Sequence, residues 1–187
     1  MLNTVFGSLS VGVTPSTSSY ESIATVTVGS GGSSTITFSS IPSTYTHLQL
    51  RFLGKTGNGS YQDDLMIRFN SDSSTGNYYS HRLFGYGSVV ADTLSGYGYA
   101  TAGFIGGGTA GSSFGSGVTD ILDYASTVKN KTIRALTGID TNSSGAVAFT
   151  SGAWFSTSAI TRIDLYSFSG TNFAQYSSFA LYGIKGA

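Results

Sequence analysis

The chain contains no cysteine, which removes disulfide bonds, thiolate metal ligands and cysteine nucleophiles from consideration. Only 2 of its 187 residues are proline against 26 glycines, an argument against collagen-like repeats and proline-rich spacers. Charge is scarce as well: Asp, Glu, Lys and Arg make up 10% of the residues, far below the usual quarter, and Glu21 is the single glutamate. Acidic and basic residues balance at 9 each. The basic excess on which nucleic-acid and anionic-membrane binding rely is therefore missing, and neither is expected as a partner. No run of about 18 apolar residues occurs, so no membrane-spanning helix is expected. The opening Met1-Leu-Asn-Thr-Val-Phe6 has no basic n-region, so no classical export signal is expected and synthesis is placed in the cytoplasm.

What fills the chain instead is Ser, Thr, Gly and aromatic residues, with 12 Tyr and 12 Phe. The length suits one domain with a real core. Residues 1–19 are Ser/Thr/Gly-rich, contain Pro15, and are expected to form a short N-terminal arm that orders against a partner. Val5, Phe6, Leu9, Val11 and Val13 are more hydrophobic than a spacer needs and are candidate partner contacts. Residues 20–187 are expected to form a single β-sandwich domain.

Within that domain, β-branched residues 21–28 predict a strand, and residues 35–38 the returning strand of a hairpin across the glycine-rich turn 29–34. Residues 47–54 alternate most cleanly, Leu48, Leu50 and Phe52 against Gln49 and Arg51. Further strands are expected over 65–69, 78–87, 97–105, 118–124, 131–139, 146–155 and 160–168. The last stretch, 176–184, sets Phe179 and Leu181 against Ala180 and Tyr182, and is expected to pair with an N-terminal strand and close the domain. About ten strands, Gly/Ser/Asn turns and no convincing helix specify an all-β chain. The expected architecture is an antiparallel two-sheet jelly-roll-like β-sandwich.

Several motifs invite a chemical reading. Gly106-Gly-Gly-Thr-Ala-Gly111 fits the dinucleotide pattern G-x-G-x-x-G, and Gly111-Ser-Ser-Phe-Gly115 fits the nucleophile elbow G-x-S-x-G. Both chemistries need a helix directly behind the glycines, and a strand is expected there instead. His47 and His81 sit in expected strands as structural or surface residues. Asp63, Asp64 and Asp72 flank one strand without EF-hand spacing and are expected to cap turns. Asp120 and Asp123 point to opposite faces of a regular strand, which does not suit paired acid–base catalysis. Arg51, Arg68, Arg82, Arg134 and Arg162 are expected to pair with acids such as Asp120, Asp123 and Asp164 at sheet edges or subunit contacts. No catalytic residue, metal site or cofactor is assigned, and no enzyme activity is expected. Aromatic clusters at Tyr78, Tyr79, Phe84 and Tyr86 and at Tyr97, Tyr99 and Phe104 suit sugar stacking or protein contact, so Tyr78, Tyr79 and Tyr86 are also candidate partner contacts.

Four segments carry a family likeness: Ile41-Pro-Ser-Thr-Tyr-Thr-His-Leu-Gln-Leu-Arg51, Asp64-Leu-Met-Ile-Arg-Phe-Asn70, Ile121-Leu-Asp-Tyr-Ala-Ser-Thr-Val-Lys-Asn-Lys-Thr132 and Gln175-Tyr-Ser-Ser-Phe-Ala-Leu-Tyr-Gly-Ile-Lys-Gly186. With them the chain resembles small β-sandwich virion proteins of tailed bacteriophages, including phages of aquatic and cyanobacterial hosts. The resemblance spans roughly residues 20–187 and carries no catalytic residue to transfer. It implies a module made in the host cytoplasm and displayed on the virion, often as a homotrimer, as a capsid decoration (cement) protein or a tail-fibre-like protein. The implied partners are the major capsid protein or another virion protein, and for a fibre-like role a host surface glycan. Because few residues precede the first strong strand, a compact decoration protein that stabilises the shell is the expected role.

Overall fold

The computed structural model describes residues 18–186. The arm candidates Val5, Phe6, Leu9, Val11 and Val13 lie outside the described residues. From Ser18 onward the chain forms twelve strands: β1 (Tyr20–Thr27), β2 (Ile36–Phe38), β3 (His47–Gly54), β4 (Gln62–Phe69), β5 (Tyr78–Gly85), β6 (Val89–Ser95), β7 (Ala100–Gly106), β8 (Gly115–Leu122), β9 (Lys131–Asp140), β10 (Gly145–Trp154), β11 (Ile163–Ser167) and β12 (Ser178–Ile184). Single 3-10 turns occupy Thr75–Asn77 and Gly108–Ala110.

Alternation explains most of these strands. In β9, Ile133, Ala135, Thr137 and Ile139 are buried while Thr132, Arg134 and Leu136 face solvent. In β12, Phe179 and Leu181 are fully buried, each worth about 1.5–3 kcal/mol of burial. The closing strand behaves as its pattern predicts: it lies between β1 and β3, antiparallel to both, with Phe179 opposite Val26 and Phe52.

An eight-stranded sheet runs β1-β12-β3-β8-β9-β10-β5-β6, and a four-stranded sheet runs β2-β11-β4-β7, with all pairs antiparallel. Setting aside β5, β6, β9 and β10 leaves β1-β12-β3-β8 facing β2-β11-β4-β7, the strand order of a jelly roll. The two extra hairpins, β5–β6 after β4 and β9–β10 after β8, pair with each other through β10 and β5. They double the width of one sheet.

Two expectations are corrected. Residues 21–28 and 35–38 are not a hairpin: β1 joins the large sheet beside β12, and β2 joins the small sheet beside β11. The intervening glycines, Gly31 and Gly32 at positive φ, carry the chain from one sheet to the other. β6 is a strand beyond those expected and follows directly on a turn at Gly87; with Asp92 between the half-buried Val90 and Leu94, it lacks a continuous apolar stripe.

The interior is aromatic. Phe69, Tyr78 and Trp154 pack together with centroids 5.6–6.4 Å apart, and Phe179 contacts Phe52 and Phe173. Beneath the added hairpins a second cluster holds Phe104, Ala110, Ile139, Ala146 and Ala148. Here the small sheet supplies the bulk, in Phe104 of β7, and β10 meets it with alanines. A Cβ at Gly152 would lie 3.6 Å from Ala100 Cβ and 3.1 Å from Ser80 Oγ, so the inner face of β10 carries only small side chains from Ala146 to Gly152, ahead of the buried Trp154. Val147 and Phe149, on the other side of that stretch, are left facing out.

Candidate docking surface

The register of the large sheet aligns residues across its outer face in rows. One row reads Arg51, Val118, Leu136, Phe149, Leu83 and Ala91, each directly opposite the next. The row beside it reads Leu53, Ser116, Gly138, Val147, Gly85 and Val89. Leu53, Leu83, Leu136, Val147 and Phe149 are 46–58% exposed and Val89 is 76% exposed. Six large apolar side chains on one sheet face form a patch of the kind that marks an interaction site, unlike apolar residues scattered singly. At its centre lies a broad open trough of about 750 Å³ between Leu53 and Val147, floored by Ser116, Gly117 and Gly138.

A polar row borders the patch: Gln49, Asp120, Arg134, Ser151, His81 and Thr93. Gln49 donates to Asp120 Oδ1 at 2.9 Å, Arg51 Nε donates to Gln49 Oε1 at 2.8 Å, and Arg134 approaches Asp120 Oδ2 at 3.6 Å. The Arg51 guanidinium also lies over the rings of Tyr20 and Tyr182, at 5.7 and 5.4 Å.

The tyrosines named from sequence separate. Tyr78 is 1% exposed, stacks in the core, and accepts the Phe69 N–H at its hydroxyl, 3.0 Å away. It is a core residue and not a partner contact, because β5 points it inward in register with Trp154. Tyr79, 43% exposed, stands on the outer face edge-on to Phe155. Tyr86, 51% exposed, sits at the far end of the same hairpin against Phe84. Tyr79 and Tyr86 thus flank opposite ends of the patch. Of the second cluster, Phe104 is buried, while Tyr97 stacks on Tyr99 at 5.4 Å and meets Phe168 edge-on at 5.9 Å.

The groups with chemical potential are held by their own fold. In the glycine-rich loop, Gly107, Gly108 and Thr109 donate their amides to the carbonyls of Tyr61, Asn58 and Ser60 at 2.8–3.0 Å, so these amides face a neighbouring loop and not a phosphate. Cβ atoms at Gly107 and Gly108 would collide with Asn58 and Ser60, which explains the glycines by close approach. Ser113 leads into β8, not a helix. His47 Nδ1 accepts the Asp123 amide at 3.0 Å, and His81 is exposed on the outer face.

The carboxylates are similarly engaged. Both Asp63 oxygens accept twice, from the Asp64 and Ser169 amides and from the Thr56 and Ser169 hydroxyls. Asp64 and Asp92 grip Arg82 from two sides at 2.6–2.9 Å, joining the small sheet to the β5–β6 hairpin. Burial raises the Asp64 pKa in spite of Arg82, while the bonds to Asp92 and Asp64 raise that of Arg82 against its own burial. Asp72 accepts from Asn77, Trp154 Nε1 and the Ser74 amide at 2.7–2.9 Å; these donors overcome burial and hold its carboxyl well below the usual range. Lys131 is fully buried, donates to the Lys129 and Ser156 carbonyls, and has its pKa pushed down by that burial. Of the arginines, Arg134 and Arg162 meet Asp120 and Asp164 as anticipated, whereas Asp123 takes Lys129. Among the described residues, no group of three or more His, Asp or Glu comes together as a metal site, and no helix is long and apolar enough to cross a membrane.

No protein-family model matches the chain, and no curated protein matches it. The outer sheet face is the candidate site the geometry offers. Sequence alternation does not reveal it, because Val147 and Phe149 are larger than the Ala146 and Ala148 they alternate with and would ordinarily be assigned inward.

Proposed function

We propose that the chain is a non-catalytic virion structural protein of a tailed bacteriophage, a decoration or cement protein that binds the outer shell and stabilises it. The observation that carries the reading is the pairing of an open apolar sheet face with polar groups already bonded within the fold. Such a molecule is equipped to assemble, not to turn over a substrate. Residues 3–19, with Val5, Phe6, Leu9, Val11 and Val13, serve as the arm that grips the major capsid protein. Quantitative gel analysis of purified particles tests this: hundreds of copies per virion support a shell role, and a dozen or so contradict it.

A second reading, a tail-fibre or receptor-binding module for a host glycan, has one feature in its favour. Exposed Tyr97 and Phe168 stand beside a polar groove lined by Asn58, Ser60, Gln62, Asp63, Asp64 and Ser169. Retention of host envelope polysaccharide that is lost in Tyr97→Ser and Phe168→Ser would favour this reading over decoration.

A further inference from the structure

We infer that the outer face of the eight-stranded sheet packs against the same face of a second copy of this chain, about a two-fold axis parallel to the strands between β8 and β9. This goes beyond the virion reading and does not depend on it.

The strand order places that axis. In β1-β12-β3-β8-β9-β10-β5-β6, four strands lie on each side of the β8–β9 boundary. Rotation about it sets β8 over the second copy's β9, β3 over its β10, β12 over its β5 and β1 over its β6. Because the rotation keeps each row at its own height, the opposing residues follow from the register. Val118 meets Leu136, Leu53 meets Val147, and the Arg51 guanidinium meets the Phe149 ring. In the polar row, Asp120 meets Arg134 and Arg134 meets Asp120.

Charge and area both favour a copy of the same chain over an unrelated partner. Arg134 is 53% exposed and only 3.6 Å from its own Asp120, so it can also reach a second carboxylate. The chain's formal net charge is zero, so two copies approach without overall repulsion. Half-exposed side chains of this size leave on the order of 600 Å² of apolar area per copy before the polar row is counted, near the ~800 Å² per partner of a stable interface. Face-to-face packing of two sheets is also the ordinary way such a surface is buried.

Sedimentation equilibrium on the full chain tests the inference. The wild type is expected to have twice the mass of one chain and a melting temperature that rises with concentration, and Leu136→Asp and Phe149→Asp are expected to sediment as monomers with unchanged circular dichroism and concentration-independent melting. Asp120→Arg and Arg134→Asp, each alone, place like charges opposite each other and are expected to be monomeric. Mixed, the two variants again set opposite charges against each other at both of these contacts, and a heterodimer is expected. A monomeric wild type, an oligomer of any size unmoved by Leu136→Asp and Phe149→Asp, or charge variants that stay monomeric when mixed would overturn it.

Discussion

Trp154 Nε1 donates to Asp72 Oδ2 at 2.7 Å, joining the end of β10 to the loop after β4. The same carboxylate receives Asn77 and the Ser74 amide, so one side chain both folds its own loop and ties it to β10.

Its stabilising contribution is therefore tied to ionisation. The folded-state pKa lies below its ordinary value of 3.8, so the contribution is fully present above that value and is lost as pH falls through the lower folded one. Asp72→Asn is expected to lose about 2 kcal/mol at pH 7 and to show a shallower loss of stability in acid than the wild type. Urea unfolding of both proteins between pH 7 and pH 2 measures the difference.

Arg82 side-chain exposure is 9%, and the arginine stands between Asp64 and Asp92 over the rings of Phe84 and Phe104. Arg82→Met keeps the hydrophobic stem but leaves two carboxylates facing each other unpaired. A loss of about 3 kcal/mol is expected, with early hydrogen exchange across β5 and β6. An unchanged melting curve would mean that the three-charge contact contributes nothing.

Tyr78 and Tyr79 are neighbours in sequence with opposite expectations. Tyr78→Phe leaves the buried Phe69 amide without its acceptor and should cost about 1–2 kcal/mol, while Tyr79→Ser should stay within about 0.5 kcal/mol. Thermal melts of the two variants separate core from surface.

Gly107→Val drives a side chain into Asn58 and the Ser60 carbonyl. A loss of at least about 2 kcal/mol, or about 4–8 °C in Tm, is expected with no ligand present. A variant that melts like the wild type would remove the loop-packing explanation of these glycines.

The architecture is legible in the sequence where strands have one face in the core. His47–Gly54 and the closing strand are clear because Leu48, Leu50, Phe52, Phe179 and Leu181 alternate with polar or small residues. The β1–β2 connection is not, because residues 29–34 can turn back or cross between sheets, and local chemistry does not choose. The candidate surface is the least legible part. Ala146 and Ala148 face inward only because Phe104, some forty residues earlier, already fills that space. Tyr78 looks like a surface aromatic in the sequence for a related reason: nothing local tells which of two adjacent tyrosines points in.

The place proposed for this protein is the outer shell of a virion. Gold-labelled antibody against the chain, applied to intact virions and viewed by electron microscopy, tests it most directly. Labels spread over the capsid surface are predicted, and labels confined to the tail, or missing from the particle, would contradict the account.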